Sequence, residues 1–326
     1  MVILLWQKNN MQIKYLNYNI IIILIITLLL TYFLLSQIDF SDIFGLFGEI
    51  NYSYIVISFI FYLGLAFLRA LRIQLIIKHK IDYKILFATI LTNNFLAILL
   101  PFKIGELSLP ILLNKYSGIE KKEGMLMLFY LRTIDIFIIL LSLLVVVTLF
   151  ADKIFQLRDI SLLLILTLLS LTAILLLKSD KIILFIGRLF KTNDLLNLTK
   201  KLASTYEFYK SKMATAIILS CLIFATLTFV LGFMINAYPI SLSYLDIILI
   251  SLIIIITTSL PINGIAGMGG LDLSISVFLM STGISKDLSI SIAFNYHFIY
   301  FMFIMFFGCM GYLFLNYRKY FLHQRS

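Results

Sequence analysis

Six runs of apolar residues, each close to the length that crosses a bilayer, dominate this sequence: Tyr18–Ser36, Tyr52–Ile77, Met125–Phe150, Ile160–Leu177, Met213–Ile235 and Leu288–Leu315. A helix rises about 1.5 Å per residue, so roughly 20 such residues cross a ~30 Å hydrocarbon core. No water is available there, so a single chain segment must satisfy its own backbone, which only a helix does. The runs therefore imply an all-α polytopic membrane protein. Composition excludes the soluble alternative, because 62% of residues are hydrophobic and 13% charged, against roughly half and about a quarter in soluble domains. The first run follows Lys8 and Lys14, is too long for a signal-peptide core and lacks a small-residue cleavage pattern, so it reads as a retained helix.

Two further apolar stretches are broken. NNFLAILLPFKIGEL (Asn93–Leu107) starts as a helix, meets Pro101 and then carries Lys103 and Glu106. TTSLPINGIAGMGGLD (Thr257–Asp272) has the same Leu-Pro break, four glycines and then an acid. Proline removes a helical hydrogen bond, and charge at membrane depth is costly. Neither stretch suits a continuous span. Broken apolar segments at corresponding places in two halves point to a transporter's binding site.

The formal charge of +10 raises a nucleic-acid reading, but the basic residues cluster in loops between helices, as the positive-inside rule requires. Placing Lys78, Lys80, Lys84 and Lys178–Lys212 inside sets the threading. Both termini are then cytoplasmic, with six spans and two re-entrant hairpins, eight hydrophobic segments in all. The first hairpin enters from the cytoplasm and the second from outside. Only Lys153, Arg158 and Lys286 fall outside, and Arg132 lies within a span. Each half, about 14–150 and 160–316, is two spans, a hairpin and a third span. An odd number of crossings inverts the second half, the inverted-repeat plan of many transporters. Asp39–Glu49 reads as an acidic outside loop, and 178–212 as amphipathic helix lying on an anionic leaflet.

Polar residues where the membrane makes them expensive are the candidates for function. Arg69 and Arg72 share one face of the second span. Lys103 and Glu106 follow the first proline. Arg132 and Asp135 are three apart, as an internal ion pair would be. Asp272 follows the glycines, and His297 lies on the last span. The glycine turn can present backbone N–H groups to an anion, as can the arginines and Lys103 with their cations. Glu106, Asp135 or Asp272 could take up a proton or meet a cationic headgroup. No nucleotide-binding glycine loop, nucleophile–base set or metal cluster is legible, and Cys221 and Cys309 read as packing residues. Neither a cofactor nor a metal is expected.

LRALR (Leu68–Arg72), the Asn93–Leu107 stretch with its GEL, Arg132-x-x-Asp135 and Leu260–Asp272 occur in an order and spacing that resemble the lysylphosphatidylglycerol synthase transmembrane family of flippase-like domains. That family includes the membrane half of the multiple peptide resistance factor, which is associated with flipping aminoacylated phospholipids. The resemblance covers almost the whole chain. It differs at Phe102, Leu109, Tyr130 and Leu271, where the family often has glycine or a charge, and at His297, where arginine is common. It implies a single transmembrane domain whose site draws on Arg69, Arg72, Lys103, Gly105, Glu106, Arg132, Asp135, Gly267, Gly269 and Asp272; Asn94 and His297 join the candidates as polar residues within apolar segments. The reading that follows is a translocase of the cell membrane that binds a phospholipid or lipid-linked headgroup between the hairpins. Two alternatives remain open: a membrane-embedded aminoacyl or glycosyl transferase using Glu106 with Asp135, and a partner of a separate lipid-modifying transferase.

Overall fold

A computed structural model describes residues 40–78, 80–154, 158–189, 193–259 and 268–323. The expected first span, Pro261, Gly264 and Gly267 lie outside them. Every regular element among the described residues is helical: α1 (Phe40–Glu49), α2 (Tyr52–Ile76), α3 (Tyr83–Leu99), a 3₁₀ segment (Pro101–Leu107), α4 (Ser108–Ser117), α5 (Lys121–Ile154), α6 (Arg158–Leu189), α7 (Asn193–Ser211), α8 (Met213–Ile235), α9 (Tyr244–Ser259), α10 (Gly270–Ser281) and α11 (Lys286–His323). Five of these, α2, α5, α6, α8 and α11, contain stretches long and apolar enough to cross a membrane. They coincide with five of the six expected spans.

Local chemistry sets the boundaries. Ser243 and Asp246 form a reciprocal capping box at the start of α9: Ser243 N–H donates to Asp246 Oδ2 at 3.0 Å, and Asp246 N–H to Ser243 Oγ at 3.2 Å. The helix therefore begins three residues before the apolar run that signals it. Asn51 and Asp82 cap α2 and α3 by accepting from the N–H groups of Ser53 and Lys84. Each such cap contributes about 1 kcal/mol. At the end of α4, Gly118 adopts the left-handed conformation (φ 72°) and its N–H returns to Asn114 O.

The chain forms two compact units. The first comprises the described residues up to Ile55, Phe95–Glu106 and Met234–Met305. In it α9 and α10 fold back on each other and share a hydrogen bond between Thr257 and Ser274 at 2.9 Å. Tyr238 donates to Asn295 Oδ1 at 3.0 Å, tying the loop after α8 to α11. The second unit comprises Val56–Asn94, Leu107–Phe233 and the described residues from Phe306 on. There Ser58 on α2 donates to Val230 O on α8 at 2.8 Å, and Tyr62 stacks on Phe307 of α11. Gly311 brings α11 so close to α3 that a Cβ would lie 2.7 Å from Ala88 O. Small residues permit this kind of helix approach in membranes, where close packing replaces the hydrophobic drive.

The first broken stretch turns the chain back after α3, and α10, beyond the second, packs on α9. After α3 the chain turns so tightly that a Cβ on Gly105 would sit 1.9 Å from Leu96 O, leaving room only for glycine. Ser108 then donates back to Asn93 Oδ1 at 2.9 Å. Helices α4 and α10, of 10 and 12 residues, are too short to cross a bilayer.

Two expectations on secondary structure need correcting. The acidic loop Asp39–Glu49 is mostly helix α1, whose Leu46 is buried while Gly45, Gly48 and Glu49 are exposed. The fourth apolar run does not end at Leu177: α6 continues through Lys178 and Lys181 to Leu189, because leaving an apolar environment does not interrupt helical hydrogen bonding. Within the same segment α7 (Asn193–Ser211) folds back on α6 and also packs on α5. Tyr206 donates to Leu175 O and Leu176 O, and Lys210 to Leu177 O. Buried Tyr206 and Tyr209 pack with Tyr130 of α5, on the scale of roughly 1.5–3 kcal/mol for each large side chain. Its apolar face is thus spent on protein. Among the described residues its exposed positions include Lys200, Lys201, Ser204 and Glu207.

Candidate functional site

Within the second unit, α2, α3, α5 and α8 bring polar side chains from segments far apart in sequence into one cluster. Arg72 is buried and grips Asp135 of α5 through both guanidinium nitrogens, Nη1 to Oδ1 and Nη2 to Oδ2, the latter at 3.3 Å. The same Nη1 donates to Ser220 Oγ of α8 at 2.5 Å. A forked guanidinium on a carboxylate is the strong, orientation-specific form of an ion pair. Arg132 approaches the free side of that carboxylate, Nη1 to Oδ2 at 3.6 Å, and is 46% exposed where Arg72 is 7%. Arg69 donates to Asn94 Oδ1 of α3 at 3.0 Å. Neighbouring Asn93 holds Ser108 beyond the turn, so adjacent asparagines anchor an arginine and the chain reversal.

Two guanidinium groups thus meet one carboxylate, with Arg69 and Asn94 close by in the same cluster. Asp135 accepts from both guanidinium nitrogens of Arg72 and lies within ion-pair distance of Arg132, so one carboxylate fixes the two side chains relative to each other. Arg72 also keeps a buried Nε donor with no hydrogen-bond partner.

The first unit holds a different arrangement. Asp272 is 1% exposed; its Oδ1 meets His297 Nδ1 of α11 at 2.7 Å, and its Oδ2 accepts from Gly269 N–H at 2.9 Å. Gly269 has φ 88°, a left-handed conformation that glycine alone adopts without strain. The carboxylate therefore caps the start of α10 and ties it to α11. Both oxygens are engaged and the charges balance if His297 is protonated.

Of the residues expected from sequence, Arg69 and Asn94 come together, as do Arg72, Arg132 and Asp135, and Gly269, Asp272 and His297. Lys103, Gly105 and Glu106 form the 3₁₀ turn; Gly105 is buried there and Glu106 half-buried. The expected pairing of Arg132 with Asp135 exists, but Arg72, 63 positions away, makes the closer contact. Ser220 was missed. Its only signal is a hydroxyl in the apolar helix α8, and most such hydroxyls here bond their own helix, as Thr226 does to Leu222 O.

Outside the spans, Lys201 donates to Glu120 Oε1 at 2.7 Å and holds that carboxyl below the usual range. Burial pushes the Tyr209 hydroxyl up, and Glu123 adds to the shift.

The sequence model of the lysylphosphatidylglycerol synthase TM region matches residues 20–308. No curated protein and no solved structure matches the chain significantly.

Proposed function

Because this chain belongs to the lysylphosphatidylglycerol synthase transmembrane family and is a multi-pass membrane protein with a lipid-related role, we propose that it is a lipid translocase that moves a phospholipid or lipid-linked headgroup between leaflets. The observation that carries this reading is Arg72, buried within a membrane span and sharing Asp135 with the exposed Arg132. Charges are retained at such a position when they handle a polar group. In this mechanism the headgroup phosphate replaces part of Asp135's hold on the arginines, with Ser220 and Asn94 keeping Arg72 and Arg69 in orientation. The acyl chains stay in the bilayer throughout. Asp135 returns to Arg72 when the headgroup leaves, so that buried guanidinium is never left without a counter-charge.

The topology proposed with it has re-entrant hairpins at α3–α4 and α9–α10, an inverted repeat over 14–150 and 160–316, and both termini on the cytoplasmic face of the cell membrane. Lys103, Glu106 and the glycine turn at Gly267–Gly269 belong to the same translocation machinery. The transferase alternative relies on Glu106 with Asp135 as its carboxylate pair, and both oxygens of Asp135 are engaged by arginines.

The test is headgroup movement in proteoliposomes, read by quenching of a fluorescent phospholipid from outside. Wild-type protein should move the probe, and Arg72→Lys, which keeps the charge but loses the fork, should slow it about tenfold or more. Equal rates for the two proteins would overturn the proposal.

A further inference from the structure

Two adjacent residues of α7 reach the two helices that carry the Arg72–Asp135 pair. The Phe208 ring lies under Lys78 Nζ, 5.0 Å from its centroid, and Lys78 stands just past the end of α2 at Ile76. Beside it, Tyr209 O accepts from the Tyr130 hydroxyl of α5 at 3.0 Å. Tyr130 is fully buried, and its ring meets Tyr206 edge-on and Tyr209 at a tilt. Asp135 is five residues along α5 from Tyr130, and Arg72 is four from the end of α2. Each contact therefore lies roughly 6–8 Å along its helix from the ion pair. Helix α7 bridges α2 and α5 beside the fork.

A bridge sets a separation only if it is itself held. Helix α7 packs along α6, where Tyr206 donates to Leu175 O and Leu176 O, both at 3.2 Å, and Lys210 donates to Leu177 O at 2.6 Å. Three successive carbonyls of α6 thus anchor it. The fork at the other end of this linkage tolerates little change in spacing, because two parallel N–H donors must both meet one carboxylate and hydrogen bonds weaken steeply off their preferred geometry. From this we infer that α7 is a clamp that sets the α2–α5 separation at the Arg72–Asp135 pair. Phe208 and Tyr209 are its two grips, and Lys78 and Tyr130 are positioning residues that act through them. Only the consequence for transport rests on the translocase reading: loosening the clamp slows headgroup movement without removing a charge from the cluster.

The clamp is tested on the full chain in vesicles, by pulsed electron paramagnetic resonance between two nitroxide labels. Cys221→Ala and Cys309→Ala first remove both native cysteines. Labels at Leu75→Cys and Met125→Cys, both exposed positions, report the α2–α5 separation near α7. Labels at Ile60→Cys and Val145→Cys report it toward the far ends of the same helices. Tyr130→Phe keeps the ring and loses the donor; Lys78→Gln loses the cation. In the two combined, the near distance should shift by about 2 Å, the scale of helix shifts at an interface, and the far distance should hold. Lys78→Arg with native Tyr130 should behave as wild type. Headgroup movement should slow about fivefold in the combined variant, within the range by which residues without ligand contact modulate a coupled site. An unchanged near distance overturns the inference, and so do equal changes at both ends, which would mark general loosening. A shifted near distance with undiminished movement, where Arg72→Lys is slow, overturns the positioning role. A shifted near distance with equal movement in wild type and Arg72→Lys leaves the clamp standing and removes the translocase reading. Dependence of movement on Arg72 with an unshifted near distance does the reverse.

Discussion

Two acid–cation pairs among the described residues look alike in sequence and differ in physics. Asp135 faces two arginines, one buried and one 46% exposed, and carries Ser220 of a third helix on the same guanidinium. Asp272 faces one histidine, is sealed from solvent, and spends its second oxygen on the backbone N–H of Gly269. The first is partly exposed and brings two cations to one carboxylate; the second is closed. Exposure is what a ligand can use, whereas a closed pair holds helices in place. On that contrast we propose ligand handling for Asp135 and its arginines, and helix positioning for Asp272 with His297.

The contrast breaks first at Arg72. Arg72→Met leaves Asp135 with its main partner gone, and loss of one member of a buried pair costs about 3–5 kcal/mol. A large drop in melting temperature in detergent, with translocation abolished, is expected; an unchanged melting temperature would remove Arg72 from the core of the cluster. Next in size is Gly105→Ala, which drives a methyl group into Leu96 O. Overpacking of this kind costs roughly 1–3 kcal/mol, toward the upper end here because the obstacle is backbone, and protease sensitivity at the turn should rise. Asp272→Asn weakens the hold on His297 and should cost about 1–3 kcal/mol. Translocation per folded molecule should nevertheless persist, and a tenfold loss of rate at unchanged stability would move Asp272 from architecture to ligand handling.

The smallest effect lies outside both pairs. Lys201 keeps the folded-state pKa of Glu120 below its unfolded value. That stabilisation is present above the unfolded carboxylate range and is lost as pH falls through the lowered value. Hydrogen exchange in α7 should quicken slightly on acidification across that window, and Lys201→Gln should remove the difference. A still larger pH response in that variant would mean that another group governs the docking of α7.

The spans were legible because hydropathy and length are properties of a single segment. The run Met213–Ile235 is helix α8 without change, whereas α6 outlasts its apolar run by some three turns, since hydropathy marks the membrane and not the helix. Arginine in a span was also legible as a functional signal. Its partner was not. The three-residue spacing of Arg132 and Asp135 reports neighbours on one helix and carries no information about Arg72, which arrives from α2. The fate of α7 was hidden for the same reason: an amphipathic pattern shows that one face wants cover but does not say whether lipid or protein supplies it.

Sequence alone thus determined that the chain is helical, membrane-embedded, broken at two places and a member of its family, because each follows from local composition or from a motif in order. Tertiary structure alone decided which acid meets which cation, that Gly105 sits against Leu96, and that Arg132 faces outward while Arg72 faces in. Those outcomes depend on how helices far apart in the chain pack against one another. Periodicity within a helix specifies a face but not its neighbour.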